Sequence, residues 1–302
     1  MLKKTWLAAL LAAIAMPAGA QTQIAAKAQA AALPDADPAI WVVKDEDTTI
    51  YLFGTVHAFD GKKEWFNDEV KTAFDQSKEV VFEIKMPDPA KAQALVMDKA
   101  VDKSGKTLTA KLSPSQARKL AAELSAVGAP ANALDRFEPW FASNQLAMIR
   151  FARKGITPDK GAEMILKAAA EKDGKAVGEV ETMEWQLGLF DSLPADLQLK
   201  MLGDYLDEGD KADSIMATMM DSWAAGDIDR LAGVINEGIA KTPELRKPLL
   251  TDRNARWAEW IDARLDKPGT VFMAVGAGHL GGEDSVQQFL AKKGIKAERV
   301  KS

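Results

Sequence analysis

Apolar positions along the chain follow a period of two near both ends and a helical period through the middle. Ala39-Ile40-Trp41-Val42-Val43 and Thr49-Ile50-Tyr51-Leu52-Phe53 are short runs rich in β-branched and aromatic residues. They flank the polar stretch Lys44-Asp45-Glu46-Asp47, which predicts a β-hairpin. After a loop and a helix over Asp68–Gln76, a third strand is expected at Glu79–Ile84, with Val80-Val81-Phe82 at its heart. The period then changes. Ser113-Pro114-Ser115-Gln116 reads as a helix start, with Ser as N-cap, Pro at the first helical position and Gln at the capping-box position. Further helices are predicted near 137–154, 160–172, 194–207, 211–225 and 227–240, and a longer one from about Asp252 to Leu265. A short strand candidate, Lys175–Glu181, interrupts them. Val271–Val275, a Gly-rich turn, a helix over Asp284–Lys293 and a strand over Ile295–Val300 complete the pattern.

Strands therefore cluster at both ends and helices fill the centre. This predicts an α/β fold with a mixed central sheet built from both chain ends. A large helical insertion spans about 86–265, interrupted by a strand near 176–181. Because the sheet needs both ends, residues 38–302 are read as one domain. Residues 1–20 read as a secretory signal peptide: Lys3 and Lys4, an apolar stretch from Trp6 to Met16, then Ala18-Gly19-Ala20 before Gln21. Residues 21–37, rich in Ala and Gln, read as a flexible lead-in. No later apolar run approaches the roughly 20 residues of a membrane helix, so no membrane span is expected after signal cleavage and the expected location is a periplasm. The sequence has no cysteine, which excludes disulfides and thiolate chemistry. Loss of the two signal lysines takes Lys plus Arg from 39 to 37 against 44 acidic residues, a charge of −7 that argues against nucleic-acid partners.

Candidate chemistry sits at the predicted strand ends. The two histidines of the chain both close a Gly-x-x-His frame after an apolar run, Gly54-Thr55-Val56-His57 and Gly276-Ala277-Gly278-His279. Loops at strand C-termini are where open α/β sheets bind ligands. With Glu83 and Glu181, the two imidazoles form a donor set suited to Mn, Fe, Co or Zn. A metal there would acidify a bound water, with a free carboxylate as general base. Glu83 also fits a solvent-facing edge-strand residue, and Glu181 a surface residue in a crowd of Glu179, Glu181 and Glu184. Arg253, followed by Asn254, opens the long helix and could hold a substrate carboxylate or a developing oxyanion; such a residue also fits a surface or capping role. Gly276-x-Gly278-x-x-Gly281 has the form of a dinucleotide fingerprint, but only one strand follows it.

Several segments together resemble one family. They are Leu52-Phe53-Gly54-Thr55-Val56-His57, Val81-Phe82-Glu83-Ile84, Pro139-Trp140, Glu181-Thr182-x-x-Glu184-x-Gln186, Leu189–Pro194, Asp252-Arg253-Asn254 and Ala274–Leu280. The chain resembles, over about 38–300, the TraB/GumN family, related to the Tiki metalloproteases. The resemblance implies a metal-dependent protease favouring Mn or Co. His57, His279 and Glu83 become metal ligands, with Glu83, Arg253 and Glu181 in the catalytic roles. One departure stands out: Gly161-Ala162-Glu163 replaces a more usual Gly-x-Asp. The expectation is a periplasmic metal-dependent hydrolase acting on a peptide or protein. The competing readings are a non-catalytic haem- or metal-binding protein and an accessory protein for envelope polysaccharide.

Overall fold

The computed structural model describes residues 33–301 apart from 208 and 241, so the signal-peptide reading and most of the lead-in lie outside the described residues. Six strands form one mixed sheet: β1 (Ile40–Lys44), β2 (Thr48–Thr55), β3 (Glu79–Ile84), β4 (Ala176–Glu181), β5 (Gly269–Gly276) and β6 (Glu298–Arg299). Their order is β4-β3-β5-β2-β1-β6. The four strands from β4 to β2 run parallel, and β1 pairs antiparallel with both β2 and β6. The hairpin and the joining of both chain ends are as the pattern predicts.

The last long strand lies in the middle of the parallel set. β5 sits between β2 and β3, with Ala274 opposite both Phe53 and Phe82. Its residues Val271–Val275 are all buried, as expected for a parallel strand covered on both faces. On one face Phe53, Phe74, Phe272 and Trp223 pack together; on the other Trp257, Ile261, Met273 and Leu290 do so. The rest of the molecule adds a small apolar cluster of Ala58, Ile156 and Met216 and two larger ones in the helical centre. One surrounds Trp140 and Phe190, the other Leu120, Leu146 and Leu202. Ser113 makes the expected capping box with Gln116.

Three differences have local causes. Helices Pro89–Ala100 and Met183–Asp191 were not predicted; Asp88 caps the first and Thr182 the second through their side chains. The terminal strand shrinks to Glu298–Arg299, paired with Val42 and Trp41, because the polar edge around Lys296 offers little apolar surface to bury. The end of the lead-in is fastened: Ala36 is buried, its N–H donates to the Glu64 carbonyl, and the Asp37 N–H donates to that of Ala224.

Candidate functional site

The register of the sheet brings the two Gly-x-x-His frames side by side. Thr55 pairs with Gly276, so β2 and β5 end level and both frames leave neighbouring strands in parallel. Glu83 lies next door on β3, and Glu181 ends β4 opposite Ile84. β3 is an interior strand, so Glu83 does not face solvent; its side chain is 8% exposed and that of Glu181 is 3%.

The first half of the site is built around Arg253. This residue opens the helix Asp252–Leu265, which follows a π-helical turn over Lys247–Thr251, and its side chain is almost wholly buried. Nε donates to both Glu181 oxygens at 3.0 and 3.1 Å. Nη2 donates to Glu83 Oε2 and Glu181 Oε2, both at 2.7 Å. Nη1 donates to the Leu249 carbonyl at 3.4 Å and meets His279 Nε2 at 3.0 Å. All five N–H groups of the guanidinium are thus engaged. Its plane lies over the Trp257 ring, 4.9 Å from the centroid, while the Trp257 Nε1–H donates to Glu181. Gln186 Nε2 bridges Glu83 and Glu181.

These contacts fix the state of His279. Arginine can only donate, so His279 Nε2 accepts and carries no proton. Its Nδ1–H then donates to Asn254 Oδ1 at 2.6 Å. Burial, reinforced by the Arg253 charge, pushes its pKa down to about 3. Glu83 goes the other way from what burial alone would do. Arg253 and a 2.6 Å hydrogen bond from the Gly276 N–H hold its pKa at about 2.

The second half faces outward. His57 Nδ1 lies 2.6 Å from Glu163 Oε1, which also accepts the Thr55 hydroxyl at 2.5 Å. Burial would lower the His57 pKa, but the Glu163 carboxylate outweighs it and raises the value to about 9, with Glu83 adding to the effect. His57 therefore carries a proton on each ring nitrogen near neutral pH. His57 also lines a cavity of about 100 Å³, together with the polar Glu83, Glu163 and Gln186 and the apolar Ile84, Met86, Pro158 and Met164. Arg253, Glu181 and His279 do not line this cavity; they form its inner support.

Glu163 reaches His57 because Gly161 lets two backbones touch. The helix Ala162–Lys172 docks on the exit of β2 through Ala162 N–H to the Val56 carbonyl at 3.0 Å. A Cβ at Gly161 would stand 2.3 Å from the His57 carbonyl oxygen. Gly161→Ala is expected to cost about 1–3 kcal/mol, the range for forced overpacking, and to pull Glu163 from His57. Urea denaturation measures the first effect. Titration of the His57 ring by NMR measures the second, and an unchanged midpoint with an unchanged pKa would refute both. The fingerprint glycines also have packing reasons. A Cβ on Gly278 would meet the Ile235 side chain at 2.9 Å, and one on Gly281 the Ala232 side chain at 2.6 Å. Residues Gly281–Ser285 separate β5 and its following turn from the next helix, so no helix start follows those glycines directly.

The sequence reading placed His57, Glu83, Glu181, Arg253 and His279 at strand or helix ends, and the fold gathers all five. It did not pick out Glu163, Asn254, Gln186 or Thr55 as site members. Asn254 follows Arg253 directly, and Gln186 lies one helical turn beyond Thr182, so both could be found by their neighbours; the signal for Glu163 is its place in the Gly-x-Asp-like segment Gly161-Ala162-Glu163.

The donor types suit a divalent metal, but their arrangement does not. Both ring nitrogens of His279 are engaged, one by Asn254 and one by a guanidinium that cannot accept, so neither is open to a metal ion or a haem iron. Among the described residues, one group of three carboxylate or imidazole residues has ligand atoms within 4.8 Å of one another. It is the exposed set Asp35, Asp37 and Asp68, not the strand-end set. No helix among the described residues is long and apolar enough to cross a membrane.

No curated protein and no solved structure matches the chain. A family model, described as the TraB/PrgY/gumN family, matches residues 39–299, which spans both Gly-x-x-His frames, Glu83, Glu163, Glu181 and Arg253. The match takes in nearly the whole described fold, and the chain belongs to the TraB/PrgY/gumN family.

Proposed function

We propose that this protein is a hydrolase, with a peptide bond as its target and the cavity beside His57 as its reaction site. The observation that carries the reading is the pairing of His57 with Glu163 on a cavity that an ionised Glu83 also lines. Two titratable groups are held there in opposite charge states, which is how one site runs acid and base chemistry together. His57, protonated and aimed by Glu163, offers its Nε2–H to the carbonyl oxygen or the leaving nitrogen of a bound substrate. Glu83 Oε1 accepts only the Gly276 N–H and keeps a lone pair for the proton of an attacking water. As water adds to the carbonyl carbon, its proton passes to Glu83. The C–N bond then breaks as His57 protonates the amine, and a proton moving from Glu83 to His57 resets the pair. Arg253 and Gln186 keep Glu83 in place throughout. The choice of a peptide bond rests on the likeness to the Tiki proteases, and an exported location on the N-terminal sequence.

The test is cleavage of a mixed peptide library, followed by mass spectrometry. His57→Ala is expected to reduce turnover by about 10²–10⁴-fold, the usual worth of a positioned proton donor. His57→Ala cutting the same peptides at the wild-type rate would sink the assignment.

A further inference from the structure

We infer that the cavity lined by His57 is also a specificity pocket, built to take one aliphatic side chain from the residue next to the bond that is cut. The inference rests on the hydrolase reading above and adds to it the class of substrate. The cavity holds two chemistries in one space. His57, Glu83, Glu163 and Gln186 supply its polar lining, and Phe82, Ile84, Met86, Pro158, Met164 and Ala274 the remainder. The apolar residues run from core to solvent. Phe82 and Ala274 are buried and pair across β3 and β5. Ile84, Met86 and Pro158 are half-buried, and Met164 is 47% exposed. Lone exposed apolar side chains are ordinary, but this one belongs to a wall that shares its cavity with the reacting groups.

Size and charge choose the occupant. An apolar cavity of about 150 Å³ takes one benzene, so one of about 100 Å³ suits an aliphatic side chain and falls short of an indole. Among the described lining residues there is no lysine or arginine but there are two carboxylates, so an acidic side chain finds no counter-charge. A basic one fares no better, because each carboxylate already holds a cation: Glu163 has His57, and Glu83 has Arg253. Met86 and Met164 are unbranched and adaptable, so the preference covers Leu, Ile, Val and Met as a class. Met164, next in the chain to the Glu163 that holds His57, is the specificity residue at the exposed end of the wall.

The experiment reads the residues beside each cut in the peptide library, then compares two peptides that differ only in Leu or Glu at the selective position. Wild type is expected to show Leu, Ile, Val and Met on one side of the cut bond. Its kcat/KM should favour the Leu peptide over the Glu peptide by at least about 10-fold. Met164→Lys places a cation on the wall at an exposed helix position where Met and Lys are equally good helix formers, so the fold is kept. It should lower kcat/KM for the Leu peptide and raise it for the Glu peptide by about 5-fold, the worth of a near-surface charge pair. An equal effect on both peptides, or cleavage with no aliphatic preference on either side of the bond, overturns the inference and leaves the hydrolase reading standing. If wild type cuts no peptide, that reading fails and binding decides the pocket. The ring signals of the chain's two histidines are then followed by NMR as N-acetyl-leucine amide or N-acetyl-glutamate amide is added. A His57 response to the leucine amide at concentrations at least about 10-fold lower upholds the inference. Equal responses to the two amides, or none, overturn it.

Discussion

Replacing Arg253 by methionine is expected to lower the unfolding free energy by about 3–5 kcal/mol at neutral pH, the cost of stripping one partner from a buried ion pair. Methionine keeps much of the aliphatic length, so the loss is electrostatic rather than a packing void. Glu83 would keep the Gly276 N–H and Gln186, and Glu181 would keep Trp257, Gln186 and the half-exposed Arg256 at 3.5 Å, but neither would keep a buried cation hydrogen-bonded to it. His279 Nε2 would lose its donor at the same time. The deficit should narrow below about pH 5, where the stranded carboxylates can take up protons instead. Urea denaturation of both proteins at pH 7 and pH 5, with equal m-values, measures it. A loss under about 1 kcal/mol at pH 7 would mean that the network is ornamental to stability.

The second large effect is a stability maximum near pH 6.5, produced by two histidines pulling in opposite directions. His57 has its pKa raised from 6.5 to about 9. Between those values the folded chain holds a proton that the unfolded chain has released. Its contribution is therefore complete below pH 6.5 and is lost as the pH climbs through 9. His279 has its pKa lowered to about 3. Between 3 and 6.5 the unfolded chain holds the extra proton, so stability declines as the pH falls from 6.5. Glu83, with its pKa held at about 2, and Glu163, lowered by His57, steepen that acid limb below the normal carboxylate range near 4.5. The alkaline limb is worth on the order of 3 kcal/mol at about 1.4 kcal/mol per pH unit. His57→Gln isolates it: the stability difference between wild type and variant should shrink steadily from pH 6.5 to 9. A difference that stays constant over that range would show that the Glu163 pairing does not raise the His57 pKa.

The parts of this architecture legible in the sequence are those encoded locally. Alternating or continuous apolar runs mark β1, β2, β3 and β5, and Ser113-Pro114 marks a helix start by its own chemistry. Gly-x-x-His at two strand ends points to a site because strand ends are where loops meet. What could not be read was the division of labour. The two frames look alike as text, yet His57 pairs with a carboxylate from 106 residues further on and His279 is locked by a helix that precedes it. Charge state follows partners, and the partners are distant in the chain: Glu83 and Arg253 are 170 positions apart. Glu163 shows in the sequence only as a departure from Gly-x-Asp; its pairing with His57 follows from Gly161, which brings the helix start against the His57 carbonyl.

The central place of β5 bears on the order in which the molecule can be assembled. Synthesis delivers β2 and β3 first, yet they do not pair with each other; each pairs with β5, which arrives about 190 residues after β3. Until Gly269–Gly276 slots between them, both present an unpaired backbone edge, and Glu83 lacks the Gly276 N–H that receives its charge. The nascent chain therefore passes through a long interval in which its strands are open to the wrong neighbours and its chemistry does not yet exist. Any truncation before Gly269 would leave it in that state permanently.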